Sequence, residues 1–217
     1  MFWLGRVSGD AVAAVGVVEP LVGLLGLATH VGMLGSRVLV AQNVGADDHA
    51  EARRAAFHGT ALVGAANLVL AVAVFFLARP AIAVLNPGEA ILPLAVTYLV
   101  VTTFGRVFGG MSDALESGYI GWGDSRASLA INVTAVLTNV VLDPFLVVGW
   151  GIAGFDGYGI LGAALATVAG YVLGFLVAVG GLWLARTDFT ITREDVGFDP
   201  DTARDVLEIG VPKAGQE

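Results

Sequence analysis

Residues 55–78 read AAFHGTALVGAANLVLAVAVFFLA and contain no Asp, Glu, Lys or Arg. An apolar stretch of roughly 20 residues crosses a bilayer as an α-helix, because each residue adds about 1.5 Å. Small Gly and Ala residues are interspersed with Val and Leu, as is typical of helices that pack closely in a membrane. This stretch therefore predicts a membrane-spanning helix.

Four further apolar stretches have comparable length, at residues 11–40, 91–120, 128–148 and 159–184. Over the whole chain 56% of residues are hydrophobic and 14% are charged, with a mean hydropathy of +0.80. Soluble domains carry about 25% charged residues. The sequence therefore predicts an all-α, polytopic transmembrane bundle at residues 1–185, in which proline at Glu19-Pro20 kinks the first span.

Residues 186–217 form a polar, acidic linker after the last of these spans. Asp199-Pro200 has the pattern of an N-cap and first-turn proline, which predicts a short helix through Glu208. Residues 209–212 resemble the entry to a further span. We expect the protein to continue beyond this linker, and Met1 to lie in mid-protein.

The basic residues are distributed unevenly between the two ends of the predicted bundle. One end carries eight of them (Arg37, Arg53, Arg54, Arg126, Arg186, Arg193, Arg204 and Lys213), and the other carries only Arg6 and Arg79. Cytoplasmic loops are enriched in Lys and Arg. We therefore expect a multi-pass protein of the plasma membrane with the acidic linker on its cytoplasmic side.

Several function classes lack any supporting pattern. The chain has no cysteine, its three histidines lack metal-ligand spacing, and it contains no phosphate-binding loop or nucleophile elbow. No basic block suggests nucleic acid as a partner. We expect a protein that is not an enzyme and has no cofactor.

Charged residues inside the predicted spans call for an explanation, because each costs at least about 2.5–3.5 kcal/mol on insertion scales. They are Glu19, Arg106, Asp113, Glu116 and Asp143. Arg106 and Asp113 share a helix face but lie too far apart to pair directly, so they either pair across helices or line a cavity. Asp113 and Glu116 approach the inner end, where water is the simplest explanation, and the role of Glu19 stays open.

The fourth span carries the most informative pattern. Asn132, Asn139 and Asp143 fall within about 40° of one another around a helix, so they form one polar stripe. Pro144 cannot donate to the carbonyl of Val140, which leaves that oxygen free beside Asn139 and Asp143. Carboxylate, amide and carbonyl oxygens suit Na⁺, and the carboxylate alone suits a proton. Asn139 and Asp143 also fit the simpler role of hydrogen-bonding to neighbouring helices.

Five fragments in order carry a resemblance to a known family. They are the opening Phe2-Trp3-Leu4-Gly5-Arg6 with residues 11–16, then Val40-Ala41-Gln42-Asn43-Val44-Gly45-Ala46 with Glu51-Ala52, residues 118–121 with Gly123-Asp124-Ser125-Arg126, Asn139-Val140-Val141-Leu142-Asp143-Pro144, and Gly162-Ala163-Ala164-Leu165-Ala166-Thr167. Over almost the whole chain the sequence resembles the multidrug and toxic compound extrusion (MATE) family, in its archaeal or DNA-damage-inducible-like branch.

The resemblance implies a protein of two six-helix lobes, of which this chain supplies helices 2–6 of the first. It also implies a cation site of the N-terminal lobe, to which Asn139, Asp143 and Thr167 correspond. An acidic residue on the family's first helix completes that site and falls before Met1. Helix 1 and the C-terminal lobe are then expected partners within the same protein.

We therefore expect an antiporter that exports amphipathic or cationic small molecules in exchange for Na⁺ or H⁺ by alternating access. Asp143 would carry the cation or proton, with Asn139 and Thr167 as supporting ligands and Pro144 as a hinge. Membrane lipid, substrate and coupling ion are the expected partners. Two alternatives stay open, a flippase for lipid-linked precursors and a channel or passive membrane scaffold.

Overall fold

The computed structural model describes residues 2–152, 154–183, 189–190, 195–197 and 199–214. A 3₁₀ turn at Leu4–Arg6 precedes six α-helices. They are α1 (Gly9–Gly45), α2 (His49–Val84), α3 (Ile91–Trp122), α4 (Ser125–Val148), α5 (Ile160–Trp183) and α6 (Pro200–Ala214). No strand occurs in these described ranges. The predicted all-α fold is confirmed, with five helices long and apolar enough to cross a membrane.

The helices extend beyond the apolar stretches that predicted them, because their polar ends are capped. The Asp48 carboxylate accepts from the amide of Glu51, so α2 starts at His49 instead of residue 55. The hydroxyl of Ser8 starts α1 in the same way, and Asp124 starts α4. Gly123 ends α3 with φ of 95°, a left-handed conformation that favours glycine. Pro20 lies inside α1, which continues as one helix on both sides of it.

The bundle is organised around α3, which packs against α1, α2 and α5 and more lightly against α4. Helix α2 packs on α1, and α4 packs along α5, so the two pairs lie on either side of α3. Within the described part, α1 and α4 share no extensive contact. A space is therefore left between them, bounded by α3 and α5.

Glycines permit the close packing of α3, α4 and α5. A Cβ at Gly105 would lie 2.5 Å from Val168 Cγ2, and a Cβ at Gly170 would lie 2.7 Å from the carbonyl oxygen of Ala135. Small residues at these two positions thus let the helices approach closely, as is common between membrane helices.

The outer surface is apolar where the bundle would meet lipid. On α2, Leu68, Val69, Phe75, Phe76 and Leu77 all point outward and are exposed. Exposed apolar patches of this extent mark contact with a membrane or a partner. Their position on a helix that is long and apolar enough to cross a membrane fits a bilayer.

Helix α6 packs across α1 and contacts α2 at one end of the bundle, which we call the α6 end. Arg53 pairs with Asp195 at 2.9 Å, and the amide of Asp199 donates to Nε2 of His58 at 2.8 Å. Gly35 of α1 lies directly against the backbone of Val206. Residues 200–214 thus form one docked helix, longer than the short helix predicted.

Asp199 caps α6 as predicted. Its carboxylate accepts from the amide of Asp201 at 3.0 Å and lies 2.9 Å from the hydroxyl of Thr202. The hydrogen bonds from Thr202 and from the Asp201 amide hold the pKa of the Asp199 carboxyl below its ordinary value.

Candidate functional site

A cavity of about 480 Å³ occupies the space between α1 and α4. Its floor is α3, which contributes most of the polar groups, and α5 closes one side. The polar residues that line it are Glu19, Tyr98, Thr102, Arg106, Ser112, Asp113, Glu116, Asn132, Asn139, Thr167 and Tyr171. A polar space of this size inside an apolar bundle is large enough for a small molecule.

Two of the predicted site residues lie in direct contact. Asn139 on α4 donates from Nδ2 to the hydroxyl oxygen of Thr167 on α5, at 3.1 Å. The Thr167 hydroxyl in turn donates to the carbonyl of Ala163 at 3.0 Å. With the amide oriented by this chain of bonds, Oδ1 of Asn139 has no hydrogen-bond partner among the described residues.

Asp143, the third predicted site residue, follows Asn139 by one helical turn and is half-buried. It makes no hydrogen bond or ion pair within the part of the chain that the structure describes. It lies beside the cavity, whose wall on α4 ends with Asn139. The predicted stripe on α4 is therefore divided, with Asn132 and Asn139 in the wall and Asp143 just beyond it.

The loop after α4 holds the Asp143 end of α4 against the start of α5. The carbonyls of Leu146 and Val147 accept from the amides of Tyr158 and Gly159, at 2.7 and 3.1 Å. Gly162 lies against the Leu146 carbonyl, a contact that leaves no room for a Cβ. These contacts fix the spacing at which Asn139 reaches Thr167.

Tyr98 was missed by the sequence reasoning. Its hydroxyl faces that of Thr167, and it is close enough to Glu19 and Asp143 to interact with both electrostatically. A tyrosine hydroxyl within an apolar span was the available signal, because a buried hydroxyl needs a polar partner.

Glu116 links α3 to α4. It accepts from the hydroxyl of Ser128 at 2.7 Å and from Nδ2 of Asn132 at 2.6 Å. Both Glu116 and Asp113 line the cavity, and only Glu116 of the two is held by hydrogen bonds among the described residues. Glu116 and Asn132 thus have a clear structural role, one that sequence spacing alone did not indicate.

Arg106 and Asp113 both line the cavity, one of the two arrangements that the sequence left open. They are close enough for electrostatic interaction, but no ion pair joins them. Nε of Arg106 is buried and has no hydrogen-bond partner in the described ranges. By contrast, Asn67 on α2 bonds to Thr29 on α1 and serves helix packing.

These features define a polytopic membrane protein with a polar, ionisable cavity at membrane depth, the architecture of a secondary transporter half. A family model described as MatE matches residues 1–145. The chain belongs to the MatE family, as the resemblance predicted.

Two curated relatives come from Bacillus subtilis (strain 168). The chain is 25% identical to "Uncharacterized transporter YisQ", with 99% of the chain and 47% of that protein covered. It is 31% identical to "Probable multidrug resistance protein YoeA", with 97% and 45% covered. The chain thus spans about half the length of the curated relatives it matches.

A solved structure, "Crystal structure of MATE in the bent conformation", superposes with a TM-score of 0.86 at 23% identity. The match covers 98% of the chain and 46% of that structure. This likeness shows that the chain has the fold of one half of a MATE transporter.

Proposed function

We propose that the chain forms the N-terminal lobe of a cation-coupled antiporter that exports amphipathic or cationic small molecules across the plasma membrane. The observation that carries the proposal is the group of oxygen ligands at the end of the cavity. Asp143 has no hydrogen bond or ion pair among the described residues, and it lies one turn from the open Oδ1 of Asn139. Because an unpaired carboxylate at membrane depth is costly, such a group typically marks a position that takes up and releases a cation.

The ligand chemistry supports either coupling ion. The Asp143 carboxylate, Oδ1 of Asn139 and the hydroxyl of Thr167 are hard oxygen donors of the kind that Na⁺ prefers. The same carboxylate accepts a proton when Na⁺ is absent. Either cation neutralises Asp143, so binding changes the electrostatics between α4 and α5.

The cavity suits a cationic or amphipathic substrate. The carboxylates of Glu19 and Asp113 face it, and Tyr98 and Tyr171 offer aromatic faces. Cations are attracted by carboxylates and by aromatic rings.

Alternating access requires that ion binding change the shape of the lobe. Pro144 directly follows Asp143 and interrupts the hydrogen-bond ladder of α4. We place the hinge there, so that neutralising Asp143 lets the end of α4 bend. A second lobe and a preceding helix would complete the pathway.

The proposal is tested by Asp143→Asn in a two-lobe transporter that carries this chain as its first half. Efflux is measured in vesicles with an imposed Na⁺ or H⁺ gradient, against the substrate's own gradient. We expect uphill efflux to fall to the level of empty vesicles, because an uncharged amide does not alternately bind and release Na⁺ or a proton as a carboxylate does.

Glu89→Gln is the matched control, since Glu89 is an exposed acid in a loop. It should transport as the unmodified protein does. Unchanged uphill efflux in Asp143→Asn would contradict the assignment of Asp143. Efflux that runs only downhill in the unmodified protein would indicate a channel.

A further inference from the structure

Arg106 is the one positively charged residue among the described residues that line the cavity. Arg106 lies midway along α3, and its Nε is buried without a hydrogen-bond partner among the described residues. A buried donor left unpaired costs about 1–3 kcal/mol, and more when it is charged. Arginine also keeps its charge under all ordinary conditions. An acceptor on a bound ligand would remove this cost.

The helix beside Arg106 does not satisfy it either. Nη2 passes close to Gly26 on α1, where a Cβ would lie 3.6 Å away. The carbonyl of Gly26 accepts instead from Nδ1 of His30, at 2.8 Å. The guanidinium thus lies between α1 and α3 and faces the cavity that both helices line.

Asp113 is close enough to Arg106 to interact with it electrostatically, but the carboxylates of the cavity form no ion pair with Arg106 among the described residues. Asp113 and Glu19 line the same space as Arg106. Glu116 is occupied by its bonds to Ser128 and Asn132. The cavity therefore presents one positive position and two unpaired negative positions in one volume.

We infer that Arg106 is the anion-binding position of this cavity, where it receives the carboxylate of a zwitterionic amphiphile whose ammonium group lies against Glu19 and Asp113. The inference rests on the proposed function only in taking this cavity as the substrate site. A guanidinium matches a carboxylate with two parallel hydrogen bonds, which a point charge does not provide.

The presence of both a positive and a negative position favours a zwitterion over a simple anion or cation. A pure anion would meet Arg106 but would be repelled by the carboxylates of Glu19 and Asp113. A pure cation would satisfy those carboxylates and leave Arg106 without an acceptor. A ligand that bears both charges pairs with both kinds of position.

Two dyes with one ring system separate these cases. Rhodamine 110 carries a free carboxylate beside its cationic ring, and rhodamine 123 is its methyl ester. Binding is measured by fluorescence anisotropy with the full 217-residue chain in lipid nanodiscs. We expect rhodamine 110 to bind roughly tenfold or more tightly than rhodamine 123, as a charge-assisted hydrogen bond gives.

Arg106→Met should remove this preference and leave binding of rhodamine 123 unchanged or stronger. Glu19→Gln is the matched control, because it keeps Arg106 and should weaken both dyes while preserving their ratio. Its position is exposed on α1, so it tests the site without disturbing packing. Circular dichroism and size exclusion verify that each variant is folded.

Equal affinity for the two dyes in the unmodified chain would overturn the inference. The inference would also be overturned if neither dye binds the unmodified chain. It would be overturned as well if the folded Arg106→Met variant still prefers rhodamine 110. The proposed role of Asp143 in ion coupling is tested separately and fails if Asp143→Asn retains uphill efflux. That result would not change the expected preference for rhodamine 110.

Discussion

At the scale of single residues, the polar groups inside the bundle fall into two kinds. Some are satisfied by neighbouring helices, such as Asn67 with Thr29 and Glu116 with Ser128. Others have an atom without a hydrogen-bond partner among the described residues, such as Oδ1 of Asn139 and Nε of Arg106. An unsatisfied buried group lowers stability, which is why we propose a ligand for the buried Nε of Arg106.

The sequence predicted part of this division. The family resemblance placed Asn139 and Thr167 in one site, and the structure brings the two together at 3.1 Å. The spacing of Asn132 on its helix could not reveal its bond to Glu116, because α3 supplies that partner from across the helix interface. Tyr98 was missed for the same reason, since its partner Thr167 lies on a helix distant in sequence.

Thr167→Val tests the ligand group. The change keeps the side-chain shape but removes the hydroxyl that accepts from Asn139, so the amide loses its orientation. We expect the apparent affinity for the coupling ion to fall roughly five- to tenfold, equivalent to a hydrogen bond of about 1 kcal/mol. The measurement is thermal stabilisation of a two-lobe transporter that carries this chain as its first half, during a Na⁺ titration at fixed pH and a pH titration without Na⁺.

Thr103→Val is the control for that variant. The Thr103 hydroxyl is also buried, but it bonds only to the carbonyl of Leu99 in its own helix. Its ion-dependent stabilisation should match that of the unmodified chain. If both variants lose the ion response equally, the effect comes from general loosening of the bundle, and Thr167 has no special role as a ligand.

At the scale of helices, the five spans were predictable because each apolar run exceeds the thickness of the bilayer core. Their ends were not, since caps such as Asp48 extend a helix through polar residues. The docking of α6 was also beyond the sequence. Its hydrogen bond from Asp199 to His58 joins residues 141 positions apart, and no local pattern encodes such a pairing.

Gly35→Ala tests the docking of α6. A Cβ at Gly35 would collide with the backbone carbonyl of Val206, which cannot move without displacing α6. We expect α6 to detach and the free energy of unfolding to fall by about 1–3 kcal/mol. Because the chain has no cysteine, Val206→Cys, at a position that is 0% exposed, reports detachment through maleimide labelling.

Gly23→Ala is the matched control in the same helix, since a Cβ there meets no atom within 4 Å. Combined with Val206→Cys it should leave the thiol protected and the stability unchanged or slightly higher, as alanine favours helix. Continued protection of the thiol in the Gly35→Ala chain would refute the close contact between α1 and α6.

At the scale of the whole molecule, the arrangement of helices explains why the polar groups converge. Helices α1 and α4 lie on either side of α3. Charged side chains of α1 and α3 line the space between α1 and α4, so they do not face lipid. The exposed apolar side chains of α2, such as Val69 and Phe76, face outward instead. The fold thus separates a lipid-facing surface from an ionisable interior, a division that hydropathy predicts only in part because it cannot say which faces meet.

The orientation of this bundle in the membrane gives the last prediction. The α6 end carries most of the basic residues, and cytoplasmic loops retain Lys and Arg during insertion. Ser125 is exposed at that end, and Glu89 is exposed at the other. In the cysteine-free chain, a membrane-impermeant maleimide applied to intact cells should label Glu89→Cys at once and Ser125→Cys only after permeabilisation. Each variant serves as the control for the other, because both should react fully in detergent. The reverse labelling pattern would place α6 outside the cell and overturn the assignment of sides, since the excess of basic residues would then lie on the translocated surface.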